Sequence, residues 1–157
     1  MPSVAIVPVT AADDLAEVRL LFEEYAASLN FSLCFQGFDR ELAELPGAYR
    51  PPKGRLLLAR VGDLVAGCVA LRSIGDEVCE MKRLFVRPGF HGQGLGRRLA
   101  VAIIAEGRAA GYATIKLDTV PSMKAAQGLY DALGFRDIPP YRENPIEGAR
   151  YLELRLR

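Results

Sequence analysis

Leu15, Val18, Leu21, Phe22 and Tyr25 recur at spacings of three and four, with Asp14, Glu17 and Glu24 on the opposite side. That periodicity predicts an amphipathic helix with one buried face. Residues 4–9 ahead of it read as a short strand, and Thr10 precedes Asp13 and Asp14 as an N-cap precedes an acidic first turn. The helix is expected to end near Leu29-Asn30. Residues 39–45 predict a second, short helix stopped by Pro46-Gly47, and Pro51-Pro52-Lys53-Gly54 predicts a loop.

Two apolar runs, 55–61 and 64–71, flank Gly62-Asp63 and predict a hairpin. Gly75-Asp76 supplies the next turn, and residues 77–86 read as the third strand of the meander. Pro88 and a group of glycines end it. A helix is expected from about 93 to 110, closed by Gly111, with Leu95, Leu99, Ala102 and Ile103 on its buried face. Residues 112–117 predict a strand, 122–133 a helix and 150–156 a last strand, after a loop marked by Pro139-Pro140-Tyr141 and Asn144-Pro145. The order β-α-α-β-β-β-α-β-α-β predicts an α+β fold: a central mixed β-sheet flanked by helices, antiparallel in its first half and parallel where the long helix crosses over.

At 157 residues, 50% hydrophobic and 25% charged, the chain reads as one globular domain over 1–157. A net charge of +1 argues against nucleic acid as a partner, despite Arg97, Arg98 and Arg108. The longest apolar stretches, 56–59 and 101–105, are far short of the roughly 18 residues of a membrane span. Acidic residues interrupt the first thirty positions where a signal peptide would be apolar, so a cytoplasmic location is expected. Cys34, Cys68 and Cys79 are odd in number and lack C-x-x-C spacing, and His91 is the sole histidine, so neither a disulfide framework nor a metal site is expected. Cys68 and Cys79 read as small core residues. A monomer and a homodimer both remain open.

Composition excludes more than it identifies; the segment from Arg87 to Leu99 does the reverse. Gly92, Gly94 and Gly96 alternate between a strand and a helix, where backbone can approach a phosphate and the helix offers unpaired N–H groups. Arg97 and Arg98 add positive charge. A P-loop would need Lys and Ser or Thr after Gly94, which is followed by Leu95-Gly96-Arg97. A dinucleotide loop would need glycine at 97 and a place at the first strand. Both are disfavoured.

Leu84-Phe85-Val86, Pro88 and His91-Gly92-Gln93-Gly94-Leu95-Gly96 nevertheless resemble the core pattern of the GCN5-related N-acetyltransferases, the GNAT family. Ala126-Gln127-Gly128-Leu129-Tyr130-Asp131-Ala132-Leu133-Gly134-Phe135 resembles that family's Ala-x-x-x-Tyr-x-x-x-Gly-Phe helix end, and the element order is similar too. Two positions depart from the pattern. His91 stands where Gln or Arg is usual, and Met123 stands where Asn is common, which bears on contacts to the pyrophosphate and to the pantetheine arm.

The resemblance implies acetyl-CoA as cofactor and donor, without a metal, and a primary amine as acceptor, a small molecule being favoured, with direct attack of the amine on the thioester. It implies cofactor binding by Leu84, Phe85, Val86, His91, Gly92, Gln93, Gly94, Leu95, Gly96 and Arg97, with strand backbone near Leu84 holding the oxyanion. Tyr130 is implied as general acid. Glu80, four residues before Leu84, is implied as base, with ordered water as the alternative base and Glu77 a weaker substitute; Glu80 reads equally well as a paired or solvent-facing strand charge. Lys82 and Arg83 read equally well as ion-pair partners on a solvated face. Phe31, Phe35, Phe38, Tyr49 and Tyr141 are aromatics outside the periodic patterns, available to core or acceptor pocket, and Arg142 reads as a surface arginine, with bidentate binding of an acceptor carboxylate as the alternative. A non-catalytic acetyl-CoA-binding sensor or assembly domain of the same fold is the alternative function.

Overall fold

Leu56 and Leu58 pack to one side of their strand while Leu57 and Ala59 pack to the other, and all four are buried, so the middle of the sheet must be covered on both faces. The computed structural model describes residues 3–33 and 37–157, which leaves Cys34 and Phe35 outside the described residues. The elements are β1 (Val4–Pro8), α1 (Ala12–Ser28), α2 (Phe38–Glu44), β2 (Arg55–Val61), β3 (Leu64–Gly75), β4 (Val78–Val86), α3 (Leu95–Ala109), β5 (Thr114–Thr119), α4 (Lys124–Ala132), β6 (Arg136–Asp137) and β7 (Arg150–Arg155). One sheet runs in the order β1-β2-β3-β4-β5-β7-β6. Helices α1 and α2 cover one face; α3 and α4 contribute to the core on the other. Leu99 and Ile103 of α3 are fully buried there, each worth about 1.5–3 kcal/mol of apolar burial.

The expected mixed sheet is present. Its β1–β4 part is antiparallel, and β4 and β5 are parallel neighbours joined through α3. Several boundaries differ: β5 lies two residues later than the expected 112–117, α3 and α4 begin two residues later than expected, and three further differences have a visible cause. Helix α1 starts at Ala12 with Ala11 as a cap that makes no side-chain bond, so Thr10 lies one position too early to cap it. Asp13 and Asp14 still complement the dipole in the first turn. Strand β3 continues through Gly75, moving the turn to Asp76-Glu77, and two residues after α4 form the additional strand β6. Cys68 and Cys79 are buried and unpaired, as small core residues.

Strand β4 departs from regular geometry twice. Cys68 pairs with Phe85 and Ala70 with Lys82, so β4 carries one extra residue against β3. That bulge contains Arg83 at φ 62°, a left-handed conformation costing about 1–3 kcal/mol for a non-glycine residue. Glu41 of α2 holds it with two hydrogen bonds, 2.9 Å to Nε and 2.8 Å to an Nη, and the Cys68 thiol donates to the Arg83 carbonyl at 3.3 Å. Secondly, β4 pairs with β5 only at Val78↔Thr114, Cys79↔Ile115 and Glu80↔Lys116. Beyond Glu80 the two parallel strands part.

Candidate active site

Where β4 and β5 separate, a cleft of about 620 Å³ opens, with residues 81–86 of β4 on one wall and 117–120 from the end of β5 on the other. Tyr25, Leu29, Phe31 and Leu33 close one side of it; Ala126, Leu129 and Tyr130 of α4 close the other. A strand edge not laddered to its neighbour presents backbone donors and acceptors to whatever enters, as in recognition by added strands. Leu84, Phe85 and Val86 lie on that wall.

At the mouth, Pro88, His91 and Gly96 continue the lining. Gly92 and Gly94 hold φ of 82° and 75°, the left-handed turn conformation that favours glycine, and this brings the chain into α3 with Gly94 as N-cap. The first intrahelical bond there runs from the Arg98 N–H to the Gly94 carbonyl, at 3.1 Å. The N–H groups of Leu95, Gly96 and Arg97 therefore precede any helical acceptor, which makes this end of α3 suited to an anion. The Leu95 side chain itself is buried in the core, while Gly92, Gln93, Gly94 and Arg97 are exposed beyond the cleft lining. His91 is exposed, and its Nε2 donates to the Val86 carbonyl at 2.8 Å.

Tyr130 owes its position to the end of α4. The Phe135 N–H bonds to the Tyr130 carbonyl at 3.1 Å and the Gly134 N–H to the Asp131 carbonyl at 3.1 Å, a Schellman closure with Gly134 at φ 96°. The accompanying apolar contact is the Tyr130–Phe135 ring pair, with centroids 5.6 Å apart. The Gly-Phe ending thus fixes the tyrosine against the cleft. Among the described residues its hydroxyl has no hydrogen-bond partner, and burial, with Tyr25 and Asp118 adding to it, pushes its pKa well above that of a free phenol. It stays a proton donor at neutral pH. Met123 caps α4 and lines the cleft, its thioether accepting from the Thr119 hydroxyl at 3.7 Å.

Glu80 stands elsewhere. It is fully buried and lies outside the cleft lining, accepting from Arg72 Nε at 2.8 Å, from the Tyr141 hydroxyl at 2.6 Å, and from Arg142. Burial raises its carboxyl, but Lys82, Arg142, Tyr141 and Arg72 together hold it below the ordinary carboxylate value. Arg142 is neither a surface arginine nor open to an acceptor carboxylate: it is engaged by Glu80, and its Nε is buried without a partner among the described residues. Glu77 is at the hairpin turn, in an exposed ion pair with Arg157.

The solvated face expected for Lys82 and Arg83 is overturned: they are 7% and 4% exposed, Arg83 enclosed by Glu41 and Phe38 of α2 and Tyr25 of α1, and Lys82 in the wall of the cleft. Arg83 stacks over Phe38 at 5.2 Å and Tyr25 at 5.9 Å. Lys82 lines the cleft. Of the unassigned aromatics, Phe38 and Tyr49 belong to the core under α1, Phe31 lines the cleft and Tyr141 binds Glu80. Tyr25, Lys82 and Asp118 are cleft residues that no sequence motif marked for a role; their membership follows from a helix face and two strands meeting in space.

The family model described as the acetyltransferase (GNAT) family matches residues 18–135. An uncharacterized N-acetyltransferase of Schizosaccharomyces pombe is 38% identical over 98% of this chain and 96% of its own length. A GNAT acetyltransferase from Staphylococcus aureus has the same fold at a TM-score of 0.77, 20% identical, covering 99% of this chain and 100% of that one. A Salmonella typhimurium structure containing its cofactor acetyl-CoA superposes at 0.70, 20% identical, over 98% of this chain and 94% of its own.

Proposed function

The chain belongs to the GNAT family of acetyltransferases, and from that premise we propose that it transfers the acetyl group of acetyl-CoA to a small primary amine by direct attack. The reading rests on one observation: unpaired strand edge, open helix N-terminus and buried phenol all border the same cleft. In this reading the amide-bearing pantetheine arm runs along β4 and pairs with Phe85 and Val86, as an added strand would. The pyrophosphate meets the turn from His91 to Gly96 and the first N–H groups of α3, with Arg97 adding charge.

The chemistry then asks three things of the protein. The amine attacks the thioester carbonyl only in its neutral form. As the C–N bond forms, the carbonyl oxygen takes negative charge, and in this reading a strand N–H near Leu84 receives it. When the C–S bond breaks, the Tyr130 hydroxyl gives its proton to the departing thiolate. Burial keeps the phenol protonated at neutral pH, so the proton is in place when the thiolate departs. A cleft of about 620 Å³ shared with the acetyl-pantetheine arm favours a compact acceptor.

A panel of primary amines incubated with acetyl-CoA, read by release of the CoA thiol, tests the proposal. One class of amine is expected to turn over and to carry the acetyl group afterwards. Binding of acetyl-CoA without turnover of any amine would contradict it in favour of the sensor alternative.

A further inference from the structure

We propose that the Lys82 side-chain amine is the group that takes the proton from the incoming substrate ammonium, and that Glu80 positions the cationic cluster around it. This rests on the reading of the cleft as the acetyl-transfer site. The placement comes from β4. Glu80 and Lys82 are two residues apart and so share one strand face, yet only Lys82 lines the cleft, two residues before Leu84. Glu80 is spent on Arg72, Tyr141 and Arg142.

The surroundings disfavour a second cation at this point. Arg83 and Glu80 face Lys82 from its own strand, Arg72 from β3 and Arg142 from the loop before β7, while Glu41 of α2 is bound to Arg83 and Tyr25 of α1 lies under it. Three guanidiniums stand against two carboxylates. Burial, then Arg83, with Arg142 and Arg72 behind it and against the pull of Glu80, brings Lys82 down to about 7. A neutral amine on the cleft wall can accept a proton from an ammonium, and its lack of charge does not repel that ammonium.

The step balances. The substrate N–H bond breaks, its proton joins the Lys82 nitrogen, and the freed amine attacks the thioester carbonyl. Tyr130 then protonates the thiolate and recovers its proton from the new C–N nitrogen. Lys82 releases the first proton to solvent, which is the net proton of the reaction.

The test uses the amine that turns over best in the panel, calorimetry with CoA, and the pH dependence of Lys82 acetylation by acetic anhydride, read by mass spectrometry. The native kcat/KM is expected to rise through an ionisation near 7, and the Lys82 labelling rate to rise through the same midpoint. Lys82→Met and Lys82→Arg are expected to lose about 10²-fold in kcat/KM, with CoA affinity within about threefold of native and that ionisation gone. Retention of native rate and profile by Lys82→Arg would overturn the proposal. So would a labelling midpoint typical of an exposed lysine, or stable acetylation of Lys82 by acetyl-CoA alone. Failure of the native protein to bind CoA, or to turn over any amine, would overturn the reading of the site and the proposal with it; normal turnover with an unaltered Lys82→Arg overturns the proposal alone.

Discussion

Glu80 and Tyr130 are both buried polar side chains beside the same pair of strands, yet one is saturated with partners and the other has none among the described residues. The Glu80 knot joins β3, β4 and the loop before β7 by three interactions that satisfy the carboxylate, leaving only the Arg142 Nε without a partner among the described residues. A carboxylate engaged in this way ties the fold together and has no oxygen left to act as a base. The open groups lie at the other end of β4: the strand edge past Glu80, the first N–H groups of α3 and the phenol of Tyr130. Buried polar groups are ordinarily bonded, so donors left open at one place and satisfied at another distinguish a site from a structural tie.

Breaking the closed region should cost the most. Glu80→Gln leaves Arg72 and Arg142 without their carboxylate, and a loss of about 3 kcal/mol in urea unfolding is expected from orphaning a buried pair. The same substitution should alter the acid limb. Because the folded carboxyl titrates below its ordinary value, the unfolded chain binds its proton first as pH falls; Glu80 therefore contributes stability above about pH 4.3 that is lost on further acidification. In Glu80→Gln that part of the acid-induced loss should be missing. An unchanged midpoint would mean that the knot is not a structural tie.

Tyr130→Phe should do the opposite. With no partner lost and the Phe135 contact kept, stability should stay within about 1 kcal/mol of native. Turnover should fall about 10²-fold with little change in acetyl-CoA affinity, the pattern of an interaction made only in the transition state. Full activity would make the hydroxyl dispensable and leave the thiolate to depart unaided.

The smallest effect is expected at His91. Its bond to the Val86 carbonyl holds the turn against the strand end from the exposed side, so His91→Arg should bind acetyl-CoA within about threefold of native at neutral pH. A large loss would show that the turn depends on the imidazole.

The open region was the legible one. Its features are local: Gly92 and Gly94 needing positive φ, Pro88 ending a strand, Gly134-Phe135 closing α4 behind Tyr130. Each is written within a dozen residues, and β2 was bounded correctly from its apolar run alone. The closed region could not be read the same way. Tyr141 and Arg142 reach Glu80 from 61 and 62 residues along the chain, and Glu41 reaches Arg83 from 42. No spacing rule joins such positions. Nor did any glycine announce the bulge at Arg83, whose conformation is held by those distant partners and by Cys68. Lys82 and Arg83 therefore read as surface charges, although both are buried.

The central claim is that acetyl-CoA occupies the gap between β4 and β5 with its phosphates at the start of α3. Amide hydrogen exchange of the native protein, with and without saturating acetyl-CoA, tests it most directly. The account predicts added protection at residues 84–86 and at 95–97, together, with the Glu80 end of β4 unchanged. Protection that spares both segments while acetyl-CoA is demonstrably bound would contradict it.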